Sequence, residues 1–429
     1  MIEQKERRNI IDLIHREVVP AIGCTEPVAV ALSVARAKEA LGCIPEQITV
    51  KLSANILKNA MGVGIPGTGM TGLPIAIALG ALIGKSEYLL EVLKDCTPIS
   101  VEQGKELISK GCIHIELKSD ISEKLYSEAI CKSGKDEATA IISGNHTHFV
   151  LVSKNGKTLY EDKPQSEAEK DNSDPKLTLS RVFEFAMTTP IEEISFLLDA
   201  KKLNEGAADQ ALEGCYGHEL GKTLTRPLGK GIIGDSIFSH ILSRTSCACD
   251  ARMAGAMIPV MSNSGSGNQG ICATMPVVVF AEENHNTKEE LIRALTLSHL
   301  TAIYIKQSLG TLSALCGCVV ASTGSSCGIT YLMGGDYQQI VFAVKNMIAN
   351  LTGMICDGAK PSCALKLASG VSTAVLSAIL AMQKKSVSSV EGIIDDDVDR
   401  SIHNLTSIGK DGMQETDKLV LDIMTHKSC

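Results

Sequence analysis

Three long runs of this chain, residues 59–84, 253–281 and 307–335, carry no charged side chain. Each is interrupted by Gly, Ser, Thr, Asn or Pro, and none holds the continuous apolar block of about 18 residues that a membrane-spanning helix needs. They read as buried segments. Clearing charge from three separate Gly-rich regions fits a dry pocket where they meet, and a plain helical core gives the same pattern. The core material is also restricted. Hydrophobic residues make up 44% of the chain, yet there is no Trp and only seven Phe and seven Tyr, so Ala, Val, Ile, Leu and Met must fill it. That composition favours close-packed helices.

The pattern predicts an α+β protein of 429 residues, long enough for two or three domains. Residues 1–46 read as two helices packing on the C-terminal domain, and residues 47–160 as an α/β lobe. Strands are expected there at 48–53, 113–117 and 148–152, with a turn at Asn155-Gly156. Residues 161–178 are polar and charged and read as a linker, and 179–429 as a mainly helical domain. The second helix begins at Thr25 or Pro27, which puts Cys24 at a helix N-terminus, where free N–H groups and the dipole favour a thiolate. A cysteine there is more often only packed.

A net charge of −8 with few aromatics gives no nucleic-acid footprint, and no membrane association is expected. The charged N-terminus shows no export signal, so a cytoplasmic protein with its fifteen cysteines reduced is expected, most of them packed as small apolar groups. Some are placed for chemistry. Cys356 and Cys363 bracket a tight turn bearing Gly358 and Pro361, forty residues after Cys316. Thiolates on such a turn, joined by a third from elsewhere, suit an iron–sulfur cluster with one iron left for substrate. In the pairs Cys247/Cys249 and Cys316/Cys318, side chains on a helix point apart, so at most one of each faces a common site.

Two segments, 62–67 and 265–270, match Gly-x-Gly-x-x-Gly, but neither has the surroundings of a dinucleotide fingerprint. The second offers Ser264, Ser266, Asn268 and Gln269 beside the backbone N–H groups of Gly265 and Gly267, a nest suited to a carboxylate. His146 and His148 would share one strand face, as a metal pair needs, but no third ligand is near and a solvated face is the better reading. The run Asp395-Asp396-Asp397-Val398-Asp399 reads as solvated surface or a helix start.

Taken together, the segments 22–27, 64–69 (Gly-Ile-Pro-Gly-Thr-Gly), 264–270 (Ser-Gly-Ser-Gly-Asn-Gln-Gly) and 356–360 (Cys-Asp-Gly-Ala-Lys) resemble the L-cysteine desulfidase family. The C-terminal half is similar, more distantly, to the α chain of iron–sulfur L-serine dehydratases. Those carry Cys-Asp-Pro followed by Pro-Cys; here Gly358 stands for the first Pro and the spacing to Cys363 is shorter, which argues against serine as the main substrate. The resemblance implies an oxygen-sensitive 4Fe-4S enzyme converting L-cysteine to pyruvate, ammonia and sulfide without pyridoxal phosphate. It implies Cys316, Cys356 and Cys363 as cluster ligands, with Cys318 in reserve for Cys316, and Cys24 as the base that takes the Cα proton. Cys24 as a ligand in place of Cys363 stays open. Cys429 reads as a frayed end, with capping of the open iron the alternative that related dehydratases bring. A pyridoxal phosphate lyase using Lys58 or Lys366, and a non-catalytic iron–sulfur sensor, are the rival classes. The expected partner is a small amino-acid substrate, and a homodimer is compatible with the chain.

Overall fold

The computed structural model describes residues 2–118, 120–121, 123–162, 174–310 and 313–426. Its strands are β1 (Pro20–Ile22), β2 (Gln47–Leu52), β3 (Ile113–Leu117), β4 (Tyr126–Ser133), β5 (Asp136–Ser143), β6 (Phe149–Lys154), β7 (Lys157–Glu161) and β8 (Pro259–Met261). The helices of the first half are α1 (Gln4–Glu17), α2 (Thr25–Leu41), α3 (Ala54–Ala60), α4 (Leu73–Leu82) and α5 (Pro98–Ser109). Those of the second half begin with α6 (Leu179–Thr188), α7 (Ile191–Ile194), α8 (Leu198–Glu213), α9 (Leu220–Leu224), α10 (Pro227–Ile233) and α11 (Ile237–Met253). They continue with α12 (Gly267–Glu283), α13 (Lys288–Leu309), α14 (Gly317–Leu332), α15 (Tyr337–Leu351), α16 (Cys363–Met382), α17 (Val398–Ser407) and α18 (Gln414–His426). The α+β class expected from the sequence is the one observed, with a mainly helical C-terminal region.

The lobe is built on a sheet of order β3-β2-β4-β5-β6-β7, antiparallel except for the parallel β2–β3 pair, whose crossover contains α3, α4 and α5. Buried Ala129 and Cys131 on β4, and Ala138, Ala140 and Ile142 on β5, recur at the period of two that places them on one face. That face packs on α2, which is buried nearly all round because α4 covers its other side. The α2–α4 approach is backbone to backbone: a Cβ on Gly80 would stand 2.6 Å from the Ala31 carbonyl oxygen. The predicted turn at Asn155-Gly156 joins β6 to β7 with both residues at positive φ, 50° and 76°. Such a two-residue turn matches the twist of its strands. Strands β4, β5 and β7 were not among those expected, because small and polar residues blur their alternation.

The second core lies among α8 and α11 to α17, with two of the charge-free runs supplying α12 and α14. A reciprocal cap between Thr287 and Glu290 starts α13, and Asp397 caps α17, which is the helix-start reading of the acidic run. The grouping of residues 1–46 on the C-terminal domain needs correction. Helix α1 does bury Ile10, Leu13 and Ile14 in the helical core, but α2 belongs to the core of the lobe, because its apolar surface covers the sheet. The C-terminal end divides likewise, since Leu421 of α18 packs in the core of the lobe. Most of the expected 161–178 linker lies outside the described residues; Asp174, near its end, is held by Arg16 at 2.8 Å. Helix α16 is long and apolar enough to cross a membrane, yet Val371, Ala374 and Ala378 bury one of its faces in the helical core.

Candidate functional site

The two cores meet at a cavity of about 150 Å³. Strand β1 pairs antiparallel with β8, Ile22 opposite Pro259, which delivers the Gly23-Cys24 turn to the loop that starts α12. The first Gly-rich motif acts here as packing rather than as a ligand site. A Cβ on Gly64 would stand 2.3 Å from the Ala254 carbonyl carbon, and one on Gly23, at φ 68°, would stand 2.4 Å from Pro66 Cγ. A bridge between Leu315 and Ile355 holds the next two pieces: Cys316 N donates to Met354 O at 2.9 Å and Cys356 N to Ala314 O at 2.6 Å. The cavity is lined by Cys24, Ser264, Gly265, Ser266, Asn268, Gln269, Cys316, Cys318, Cys356 and Cys363 together with Glu26, Lys58, His146, Arg252 and Lys306. All three charge-free runs contribute to its wall.

Four helices point their N-termini into this space. Cys24 precedes α2, Ser266 precedes α12, Cys316 precedes α14, and Cys363 is the first residue of α16. Ser266 Oγ accepts from Gln269 N at 3.4 Å, but neither Cys24 nor Cys316 caps its own helix with its side chain. Converging N-termini create a positive potential that favours thiolates and anionic ligands. Two glycines of the second motif are tightly packed: a Cβ on Gly267 would stand 2.2 Å from Arg252 Nε, and one on Gly270 would stand 1.9 Å from the Met261 carbonyl oxygen.

The charges follow from burial. Burial pushes the Cys24 thiol up to about 12, while Arg252 pulls it down and Glu26 and Cys363 push it further up. Cys316 is raised well above the ordinary thiol value by burial and by Cys318 and Cys356, and Cys363 is raised chiefly by burial. Lys306 is lowered to about 8 by burial. Within the Cys356–Cys363 turn, Lys360 and Lys366 overcome the effect of burial and bring Asp357 down to about 2. Lys58, with 2% of its surface exposed, is ion-paired to Asp417 of α18.

Among the described residues, no three His, Cys, Asp or Glu side chains converge as the donors of a single ion would. An iron–sulfur cluster makes a different demand, one thiolate per iron, so its ligands surround it instead of meeting at a point. The donor set fits that demand: Cys316, Cys356 and Cys363 face one cavity, and the Cys316 and Cys363 thiols, raised by burial, would ionise on a metal. Cys318 lines the same cavity but its Sγ donates to the Lys366 carbonyl at 3.1 Å, between α14 and α16. Cys429 lies outside the described residues. Lys58 and Lys366, the candidates for a Schiff base, are committed to ion pairs with Asp417 and Asp357.

His146 corrects the sequence reading. Residues 145–148 form the turn before β6, not a strand, and the two imidazoles part company. His148 bonds Ser143 O and Asp162 Oδ2, each at 3.1 Å, whereas His146 turns to the cavity, where burial lowers its pKa and Glu26 raises it. The sequence reading also passed over Arg252 and Lys306. A signal was present: Lys58, Arg252 and Lys306 each stand immediately before one of the three uncharged runs, and all three line the cavity.

Comparison with known proteins places the molecule in context. Residues 87–422 match the family model described as serine dehydratase alpha chain. Proteins named UPF0597 protein are similar over the full length. The one from Phocaeicola vulgatus is 70% identical, covering 100% of both chains; that from Bacteroides thetaiotaomicron is 68% identical, covering 100% of this chain and 99% of its own. The protein of that name from Porphyromonas gingivalis is 52% identical, covering 99% of this chain and 100% of its own.

Proposed function

Because this chain belongs to the serine dehydratase alpha chain family, we propose that it is an iron–sulfur-dependent lyase that eliminates sulfide from L-cysteine to give pyruvate, ammonia and sulfide. The observation that carries this reading is the meeting of Cys24, Cys316, Cys356, Cys363 and the 264–269 loop on one cavity. Cys316, Cys356 and Cys363 would hold a 4Fe-4S cluster, which when bound supplies a Lewis-acidic iron for the β-substituent. Cys24, at the N-terminus of α2, is the base for the Cα proton; burial pushes its thiol up, and Arg252 beside it favours the thiolate that this role requires. The Ser264, Gly265, Ser266, Gly267, Asn268 and Gln269 segment orients the substrate through its backbone N–H groups and side chains.

Gly358 supports a substrate other than serine. Its φ is 89°, and a Cβ there would lie 2.3 Å from the Lys58 carbonyl oxygen. Proline, locked near φ of about −65°, cannot occupy that position, so the cluster turn follows a different path from the Cys-Asp-Pro turn. The test is anaerobic purification with iron and sulfide analysis, then pyruvate formation from L-cysteine and L-serine. A cluster with faster turnover of L-cysteine is expected. Faster turnover of L-serine would make the protein a dehydratase, and a cluster without turnover of either would make it a sensor.

A further inference from the structure

One buried cation in the cavity wall has no carboxylate partner among the described residues. Arg252, next to last in α11, is 5% exposed; its Nη1 donates to Asn268 Oδ1 at 3.0 Å and its Nη2 to the Gly23 carbonyl at 3.1 Å, both neutral acceptors. Its Nε has no partner, and no carboxylate among the described residues forms an ion pair with it. A guanidinium stays charged at any working pH, and a buried charge is costly until a counter-ion meets it. The N-terminus of α12 adds to the same positive potential.

A complementary vacancy lies in the same wall. Gln269, also 5% exposed, has an Oε1 acceptor with no partner. An unpaired donor on a buried cation and an unpaired acceptor on a neutral amide match the two ends of an α-amino acid zwitterion. We propose that Arg252 seats the α-carboxylate of the substrate and Gln269 receives its α-ammonium, so that this pair selects free α-amino acids. This deepens the lyase reading and rests on it. The planar guanidinium suits a carboxylate better than a single thiolate, and Gly267 leaves the room that it occupies.

The test uses three small probes bound to the anaerobically purified protein and followed by calorimetry: L-alanine, L-alaninamide, which lacks the carboxylate, and L-lactate, which lacks the ammonium. L-Alanine is expected to bind at least about tenfold more tightly than either, as charge-assisted hydrogen bonds would give. Arg252→Met should abolish only the preference over L-alaninamide, and Gln269→Leu only the preference over L-lactate; a merely structural role would move both together. If Arg252→Met does not fold, Arg252→Lys, which lacks the fork, should shrink the same preference. Equal binding of all three probes to the unaltered protein overturns the inference, as does a folded variant that keeps its own preference. Pyruvate formation is assayed apart. Turnover of L-cysteine with preferences independent of these residues sinks this inference alone, whereas selective L-alanine binding without turnover upholds the recognition and sinks the elimination.

Discussion

Arg252 donates through Nη2 to the carbonyl oxygen of Gly23 at 3.1 Å, so the end of α11 holds the turn that presents Cys24. The two residues stand 229 positions apart, one before the lobe and one after it. A consequence concerns Gly267, whose hydrogen faces the same guanidinium. Gly267→Ala should displace Arg252, because the added Cβ would fall 2.2 Å from its Nε. We expect kcat/KM for L-cysteine to fall about tenfold or more, with stability down by about 1–3 kcal/mol. Iron content should not change. Unaltered kinetics in a folded variant would show that the guanidinium position is immaterial.

Ligands and base should separate in iron analysis. Cys316→Ala, Cys356→Ala and Cys363→Ala are each expected to lose the cluster, while Cys24→Ser keeps iron and loses turnover. Loss of iron from the Cys24 variant would move it into the ligand set. Wild-type iron in all three alanine variants would remove the assignment.

Acid should weaken the wall of the site through His299. This fully buried side chain accepts from Asn263 Nδ2 at its Nδ1, 3.1 Å away, and its Nε2 lies 3.0 Å from Thr274 Oγ1, an arrangement that needs the neutral ring. Burial lowers its pKa to about 4. The unfolded chain therefore binds the proton first as pH falls, so the stability is present above about 6.5 and is lost toward about 4, on the order of 3 kcal/mol over the window. Melting temperatures of the wild type and of His299→Gln should differ in slope across that window. Parallel slopes would refute the assignment.

The C-terminal helix should depend on one ion pair. Asp417→Asn leaves the Lys58 ammonium buried without its carboxylate, and Asp417 is itself only partly exposed, so a loss of about 2 kcal/mol is expected, between exposed and buried pairs. Proteolysis should then remove α18 first. Unchanged resistance would show that the apolar seat of Leu421 is sufficient by itself.

Much of the site was legible because its chemistry is carried by short local signals. A Gly-Cys-Thr-Glu-Pro start places Cys24 at the head of α2, and the turn between Cys356 and Cys363 is short enough to keep both thiols together. His146 was misread because periodicity assigned it to a strand, while the chain turns there. The grouping of α2 was misread because a helix that is apolar all round gives no sign of which neighbour it covers.

The sequence by itself determined the α+β class, the uncharged walls and the residue types able to bind a soft metal, since these depend on local period, turn chemistry and ligand softness. Only the tertiary structure decided which of the fifteen cysteines share a cavity, and that Lys58, Arg252 and Lys306 enter it together. Those meetings arise from packing between elements far apart in the chain, such as β1 on β8 and the Leu315–Ile355 bridge. The period of a single helix or strand does not encode its neighbour; the burial of shared apolar surface and the close approach of glycine backbones do.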